Sequence, residues 1–350
     1  MLQAQYSSYR LNLRFEARTS RATMHHKDTW FIRIFDDSEP DTFGIGECAL
    51  FRGLSADDCS DYELRLARVC RDIVSLTDPE DIGMSSIAFG VETALQNLRN
   101  AVPGIVYPGK WAGGESSITI NGLVWMGSAE LMMQRLSRKL DQGFKCIKLK
   151  IGGIDFQREL ELLDFVRSAW PAEKVQLRLD ANGAFSTRDA LHKLERLAYY
   201  DIHSIEQPVK PGQPQAMREI CRNSPIPVAL DEELIGSRKY DAQARMLDAI
   251  MPQYVILKPS LCGGFQASNR WIALARQRDI GWWATSAMES DIGLNAIAQW
   301  VSCFSPQLPQ GLGTGELYDN NITSPVRLRG DRLSYDPQAS WHLPDTLQWR

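Results

Sequence analysis

The chain has 350 residues, of which 44% are hydrophobic and 23% charged, a composition that excludes a disordered or fibrous protein. Its formal net charge of −4 gives no basic excess, so neither nucleic acid nor an anionic membrane is expected as a partner. The seven cysteines are scattered and form no CxxC pair, which predicts reduced thiols in the cytoplasm. We also expect neither a secretory signal nor a membrane-spanning segment.

The first hundred residues show a strand-like pattern and then a helical one. Alternating apolar side chains predict two strands, around residues 11–15 and 30–34. The polar segment 18–28 between them predicts a turn. A helix is predicted to begin at Ser55, with Asp58 completing a capping box, and a second helix to cover 86–99. Strands followed by helices indicate a small α+β unit.

A different pattern begins after the Pro- and Gly-containing segment 101–115. Short apolar runs alternate with amphipathic segments, which predicts parallel strands joined by crossover helices. The predicted strands are 117–124, 144–151, 174–180, 202–206, 227–231, 254–258 and 281–286. The predicted helices between them include 129–142, 155–170 and 187–200.

A polar residue ends each of six successive predicted strands, at intervals of 25–30 residues. These residues are Lys150, Asp180, Glu206, Asp231, Lys258 and Ser286. One interval is the length of one βα unit, and units that repeat without a reversal favour a closed α/β barrel over a doubly wound sheet. In such barrels the chemistry lies at the carboxyl ends of the strands. Helix capping explains an Asp after a strand, but Glu and Lys are poor N-caps.

Three carboxylates that end neighbouring strands would repel one another unless a cation lies between them. The three are Asp180, Glu206 and Asp231. A site that offers only oxygen ligands, with neither His nor Cys, favours a hard ion. The sequence therefore predicts a Mg²⁺ or Mn²⁺ site at the mouth of the barrel.

Lysines are predicted on both sides of that site. Lys148 and Lys150 are two residues apart on one strand, so they project to the same side, roughly 6.6 Å apart. Two ammonium groups this close favour loss of a proton, which a general base needs. Lys258 is expected to approach from the opposite wall. A lysine base with Mg²⁺ beside an enolate is the arrangement described for enolase-superfamily sites. We therefore predict removal of a proton α to a carboxylate.

Five motifs together resemble the enolase superfamily, in its muconate-lactonizing-enzyme subgroup. They are KLK (148–150), LRLDANGAF (177–185), SIEQP (204–208), ALDE (229–232) and ILKPS (256–260). The resemblance spans the chain and implies a (β/α)7β modified TIM barrel with an α+β capping domain, formed by the N-terminal region and the C-terminal tail. The implied divisions are a cap over 1–105, a barrel over 106–316, and a segment over 317–350 that returns to the cap.

Within that subgroup three further segments look like those of the o-succinylbenzoate synthases: 51–58, 285–300 and 310–325. This resemblance implies dehydration of 2-succinyl-6-hydroxy-2,4-cyclohexadiene-1-carboxylate to 2-succinylbenzoate, in menaquinone biosynthesis. It implies a small-molecule carboxylate as the partner and leaves the oligomeric state open. The 18–28 and 51–55 segments are expected to close over the substrate.

The same resemblance implies a role for each candidate residue. Lys150 would be the base and then the acid that protonates the departing hydroxyl, while Lys258 would stabilise the enolate from the other face. Lys148 would tune Lys150 and help to hold the substrate carboxylate. The implied metal ligands are Asp180, Glu206 and Asp231. Asn182 and Glu232 are expected beside these ligands, and Leu54 and Ser286 against the substrate.

Other reactions remain open from the sequence. A dipeptide epimerase or N-acylamino-acid racemase uses the same lysines and carboxylates, and an epimerase adds an acidic pair near the last strands for the substrate ammonium. Glu289 and Asp291 could imitate that pair. A Schiff-base aldolase would need a lysine nucleophile but not three strand-end carboxylates. A non-catalytic barrel would not need the complete set of lysines and strand-end carboxylates.

Overall fold

The computed structural model describes residues 1–18 and 23–350. Within them, the chain begins with an antiparallel sheet in the order β1–β2–β3, and apolar side chains of this sheet and two helices form a shared core. Ile32 and Ile34 of the sheet pack there with Leu66 and Ile87 of the helices. The elements are β1 (Leu2–Arg18), β2 (Thr23–Asp36), β3 (Phe43–Cys48), α1 (Tyr62–Arg71) and α2 (Ser85–Asn100).

The turn predicted over 18–28 is wrong for residues 23–28, because β2 begins at Thr23. Lys27 pairs with Leu11 of β1 in the ladder, and His26 pairs with Asn12. The polar composition hid this strand because its first residues are largely exposed and need no apolar alternation. Residues 19–22 of the predicted turn lie outside the described residues.

The helix predicted to begin at Ser55 begins at Tyr62 instead. The Ser55 hydroxyl accepts a hydrogen bond from the Phe51 amide at 2.9 Å, and the Asp58 carboxylate accepts one from the Gly53 amide at 2.7 Å. Ser55 and Asp58 therefore stabilise the loop before the helix, where short polar side chains bond to nearby backbone groups as readily as at a helix terminus.

A parallel sheet follows, and its strands lie in sequence order, each joined to the next through helical segments. The segment 117–124, predicted as one strand, forms two short strands separated at Ile120 and Asn121. The parallel strands are β5 (Gly122–Val124), β6 (Cys146–Lys150), β7 (Gln176–Asp180), β8 (Ile202–Glu206), β9 (Val228–Leu230), β10 (Tyr254–Leu257) and β11 (Gly281–Ala284). The helices are α3 (Ala129–Asp141), α4 (Phe156–Ala169), α5 (Ala190–Ala198), α6 (Pro214–Asn223), α7 (Tyr240–Ile250), α8 (Pro259–Cys262), α9 (Gly264–Arg276) and α10 (Asp291–Ser302).

A short segment at Gln310 and Gly311 closes this sheet into a barrel. The Gly311 amide donates to the carbonyl of Ala284, the last residue of β11, at 2.8 Å, and the Asn121 amide donates to the Gln310 carbonyl at 2.9 Å. Gln310 thereby bridges the first and last strands as the eighth member of the ring. The predicted (β/α)7β barrel with an α+β cap is confirmed. In the described part of the chain, no helix is long and apolar enough to cross a bilayer.

The C-terminal segment contacts both parts of the fold. Its hairpin pairs with β4 beside the barrel, and the last residue, Arg350, exchanges two backbone hydrogen bonds with Tyr6 of β1, at 3.0 and 3.2 Å. Trp341 and Trp349 pack in a cluster with Phe31 of the cap sheet. These contacts agree with a C-terminal segment that returns to the cap, and the domain boundaries at 105/106 and 316/317 stay a proposal. The elements concerned are β4 (Ser117–Thr119), β12 (Val326–Arg329) and β13 (Arg332–Tyr335).

The contact between α2 of the cap and α9 of the barrel is expected to weaken as pH rises. Glu92 accepts hydrogen bonds from the Phe265 and Gln266 amides at the start of α9. Burial, assisted by Glu80 and Asp78, raises its pKa from 4.5 to about 7 although these amides oppose the shift. Since the folded pKa exceeds the unfolded one, this stabilisation is complete below pH 4.5 and is lost as pH rises through about 7.

We expect Glu92→Gln, which cannot ionise, to lose less stability than the parent chain between pH 5 and pH 8. Urea midpoints measured for both proteins at the two pH values give this difference. Equal losses in the two proteins would contradict the assignment.

Candidate active site

A cavity of about 260 Å³ lies where the carboxyl ends of the barrel strands face the cap. The three predicted lysines line it together: Lys148 and Lys150 from β6, and Lys258 directly after β10. Strand β10 lies four positions from β6 in the sheet, which in an eight-membered ring is the opposite wall. The predicted approach of lysines from two sides is therefore observed.

The three predicted carboxylates lie side by side beneath the lysines. The register pairs Lys150 of β6 with Asp180 of β7, and Asp180 with Glu206 of β8. Asp231 directly follows β9, the next strand of the sheet. Each of the three residues is at most 3% exposed. The order and register of the strands thus bring together carboxylates that follow one another at intervals of 26 and 25 residues in the chain.

Ion pairs join each of the three active-site lysines to the cluster of carboxylates. Lys148 Nζ lies 2.9 Å from Asp180 Oδ2 and 2.6 Å from Glu206 Oε2. Lys150 Nζ lies 2.9 Å from Asp180 Oδ2, and Lys258 forms an ion pair with Asp231. Buried carboxylates are costly to maintain without compensating charge, so the cluster and the lysines stabilise each other.

The prediction that repulsion between neighbouring lysine ammonium groups favours loss of a proton is wrong for Lys148. Burial acts to lower the pKa of Lys148, but Asp180, Glu206 and Asp231 outweigh burial and raise it above the ordinary value. The pKa of Lys258 is raised in the same way, burial being outweighed chiefly by Asp231. The spacing of Lys148 and Lys150 shows only the neighbouring lysine, whereas the carboxylates of Asp180 and Glu206 lie closer.

The pKa values of two of the carboxyl groups, Asp180 and Glu206, shift in opposite directions. Burial acts against the charged form of Asp180, yet Lys148 and Lys150 hold the pKa of that carboxyl well below its usual range. Burial, together with the charges of Asp180 and Asp231, raises the pKa of Glu206. Negative charge is therefore most costly at Glu206. An added cation would stabilise this carboxylate more than the other two.

The donor set of Asp180, Glu206 and Asp231 fits a hard divalent cation because it consists of buried carboxylate oxygens at one place. Over the described ranges, no three His, Cys, Asp or Glu side chains are arranged as a ready metal cage. Lysine ammonium groups lie against the carboxylates instead. Metal ligation by these three residues therefore rests on their chemistry and stays a proposal.

Asn182 links the two sides of the cluster. Its Oδ1 accepts a hydrogen bond from Lys150 Nζ at 2.7 Å, and its Nδ2 donates to Glu232 Oε1 at 3.0 Å. Its backbone amide donates to Asp180 Oδ1 at 3.0 Å. Asn182 has a φ of 46°, a left-handed conformation that Asn tolerates better than most residues. Asn182 and Glu232 thus lie beside the cluster, as expected, and Asn182 orients the Lys150 amine.

The upper wall of the cavity combines cap and barrel residues. Leu54 and Ser286, predicted to contact substrate, both line it, as does Met24 of β2. Trp125, which was not predicted, also lines the cavity, and its ring centre lies 5.8 Å from Lys150 Nζ. It could have been found, since Trp125 directly follows β5 and so obeys the strand-end rule applied to the later strands. Phe51, from the 51–55 segment expected to close over the substrate, also lines the cavity, and further lining residues that were not predicted are Asn121, Thr285, Met288 and Thr314.

Glu289 and Asp291, the pair that could imitate an epimerase motif, do not line the cavity. Glu289 is fully buried, and its carboxylate accepts hydrogen bonds from the Ser260 and Ser286 hydroxyls and from a backbone amide. Asp291 is bonded to Ser324 and Asn321. Both carboxylates are engaged within the protein, so neither is presented to a substrate ammonium.

Comparison with known proteins agrees with this architecture. Residues 131–348 match the family described as Enolase C-terminal domain-like. The chain is 40% identical to an o-succinylbenzoate synthase of Desulfotalea psychrophila, over 91% of this chain and 94% of that protein. It superposes on the crystal structure of MenC from the same organism with a TM-score of 0.79 and 37% identity, covering 95% and 99% of the two chains.

A more distant structure shares the fold. It is a dipeptide epimerase of Cytophaga hutchinsonii, complexed with Mg and the dipeptide D-Ala-L-Val, with a TM-score of 0.79 and 19% identity, covering 100% of this chain and 99% of that one. The whole-chain match at 40% identity and the matched family, together with the lysine and carboxylate cluster at the barrel mouth, lead to one conclusion: the chain belongs to the enolase superfamily.

Proposed function

We propose that this enzyme is an o-succinylbenzoate synthase, a lyase that dehydrates 2-succinyl-6-hydroxy-2,4-cyclohexadiene-1-carboxylate to 2-succinylbenzoate. The observation that carries the proposal is the cavity itself. Lys150 and Lys258 face it from opposite walls above the carboxylate cluster, while Glu289 and Asp291 are withdrawn from it. This arrangement suits an anionic substrate that loses a proton and carries no ammonium group. The 40% identity to a synthase agrees with it.

In the proposed mechanism Lys150 removes the proton at C1 and then returns it to the hydroxyl that leaves from C6. One group can make both transfers if the proton and the hydroxyl are on the same face of the ring. The base must be the neutral amine, and Asn182 Oδ1 directs it by accepting one hydrogen bond. Trp125 packs beside the Lys150 amine and shields it from water.

Lys258 stabilises the negative charge of the intermediate from the other face without transferring a proton. Its buried ammonium is held by Asp231, so the positive charge is already in place before the reaction begins. Lys148 lies on the same strand as Lys150 and holds Asp180 and Glu206 in position. We assign it to binding of the substrate carboxylate and to tuning of Lys150.

Asp180, Glu206 and Asp231 would hold Mg²⁺, with Mn²⁺ as a substitute. When bound, the ion would stabilise the charge that develops on the substrate carboxylate. We place the reaction in menaquinone biosynthesis and in the cytoplasm. All seven cysteines are free, which agrees with a reducing compartment.

Epimerisation or racemisation is the alternative, and parallel assays of the reactions test it. The protein is incubated with Mg²⁺ and the cyclohexadiene substrate, and separately in D₂O with a dipeptide and with an N-succinylamino acid. We expect rapid formation of the aromatic product, and slow or no loss of the α-proton signals in the NMR spectrum. Fast α-proton exchange with the cyclohexadiene left unchanged would favour the alternative.

A further inference from the structure

A buried lysine of the cap reaches into the wall of the active site. Lys27 of β2 is 7% exposed, and its Nζ donates hydrogen bonds to the carbonyl oxygens of Ala287 at 3.0 Å and of Met288 at 2.9 Å. These carbonyls belong to the connection between β11 and α10, which we call the 285–290 loop. Residues 285–288 of this loop line the cavity. One cap side chain therefore holds a barrel loop that faces the substrate.

The 285–290 loop has a conformation that needs such support. Met288 has a φ of 63°, in the left-handed region where a side chain with a Cβ is strained. Its carbonyl also accepts the Tyr318 hydroxyl at 2.7 Å, and its amide donates to Ser286 Oγ at 3.0 Å. Strained backbone persists only where its surroundings fix it, and here donors from the cap and from the C-terminal segment fix the same carbonyl.

The barrel holds the opposite side of the loop. The Glu289 carboxylate accepts hydrogen bonds from the Ser286 hydroxyl and from the Ala287 amide, the latter at 2.7 Å. It also accepts one from Ser260, two residues beyond Lys258. Glu289 is itself a residue of the loop, so its hydrogen bond from Ser260 ties the loop to the barrel, while Lys27 holds the loop from the cap side. Removal of the donors on the cap side would free the half of the 285–290 loop that faces the cavity.

We propose that Lys27 is a positioning residue, which sets the conformation of the 285–290 loop and thereby the placement of Ser286 and Met288 against the substrate. The amine can donate both hydrogen bonds whether or not it is protonated, so the role depends on geometry. Lys27 Nζ also lies 6.0 Å from the ring centre of Phe51, another residue of the cavity wall. Lys27 thus contacts both the cap and the barrel sides of the site while lying outside the cavity lining.

The test compares Lys27→Met, which keeps an unbranched side chain only one atom shorter but removes the donors, with the parent chain. Hydrogen exchange of the 285–290 loop is measured on the free protein, and kcat and KM are measured with the cyclohexadiene substrate. We expect faster exchange in the loop and a rise in KM of about tenfold or more, the effect of losing one or two buried hydrogen bonds, with a smaller change in kcat.

Tyr62→Phe is the matched control. It removes a buried cap hydroxyl that is bonded to Ser86, away from the loop, so it should lower the urea midpoint without changing KM or loop exchange. If Lys27→Met fails to fold, Lys27→Gln carries the test, since its shorter side chain stays polar but cannot reach both carbonyls as the Lys27 amine does. Loop exchange and KM equal to those of the parent would overturn the inference.

The KM measurement rests on the proposed function, but the exchange measurement does not. A parent chain that leaves the cyclohexadiene unchanged would contradict the proposed function, and loop exchange would still decide the role of Lys27.

Discussion

Lys150→Ala should reduce kcat for dehydration by more than the roughly 10²–10⁴-fold typical of one general acid–base group, because it removes the base and the acid together. Lys150→Arg should fare little better, since a guanidinium keeps its proton at any working pH. Lys258→Arg retains a cation on the opposite face and should keep measurable activity. Initial rates of aromatic product formation, measured by ultraviolet absorbance, give the three values.

The two lysines serve as controls for each other, since their side chains are only 9% and 12% exposed and both are ion-paired to the same carboxylate cluster. A racemase needs a titratable group on each face, so both Lys150→Arg and Lys258→Arg would inactivate it. If Lys258→Arg abolishes dehydration as completely as Lys150→Ala, the one-base mechanism is wrong and Lys258 also transfers a proton. Circular dichroism of each variant separates loss of chemistry from loss of fold.

Removal of divalent metal should abolish turnover, and Mg²⁺ or Mn²⁺ should restore it. The reason is the set of three buried carboxylates, of which Glu206 carries its charge at the greatest cost. Asp231→Asn should weaken metal binding, since it replaces a charged oxygen ligand with a neutral one. Titration calorimetry with Mg²⁺ on the parent and the variant measures the binding.

Glu289→Gln provides the matched control for Asp231→Asn. It also neutralises a buried carboxylate at the end of the barrel, but Glu289 lies outside the metal cluster and is bonded to serines. We expect its affinity for Mg²⁺ to stay close to that of the parent. Full activity in exhaustively metal-free protein would exclude the metal site altogether.

The barrel and the five charged strand-end residues of the cluster could be predicted because one rule governs them. A period of 25–30 residues sets one polar side chain at the end of each strand, and parallel register then brings these side chains together. Lys150, Asp180 and Glu206 are direct neighbours in the observed ladder. The prediction needed no knowledge of loops or of side-chain conformation.

The cap was harder to predict because its polar side chains act locally or are exposed. The segment 23–28 reads as a turn by composition, yet antiparallel pairing with β1 makes it a strand. Ser55 and Asp58 match a capping box, but their side chains bond to the backbone of the preceding loop. In both cases tertiary context decided between two structures that the local sequence permits.

Side-chain electrostatics depend on distances that the sequence does not contain. The pair Lys148 and Lys150 suggested mutual repulsion, but Asp180 and Glu206 lie within 3 Å of Lys148 and determine its pKa. Nothing in the sequence indicated that Lys27 is buried, because a single lysine in a polar stretch is normally exposed. Its burial follows from the way the cap docks on the 285–290 loop.

Turnover of the cyclohexadiene substrate by the parent chain is the measurement that tests the central claim most directly. The protein is supplied with Mg²⁺, product formation is followed by ultraviolet absorbance, and the rate is compared with that of Lys150→Ala under the same conditions. We predict catalytic formation of 2-succinylbenzoate by the parent and almost none by the variant. Failure of the folded, metal-loaded parent to exceed the variant would contradict both the proposed activity and the role of Lys150.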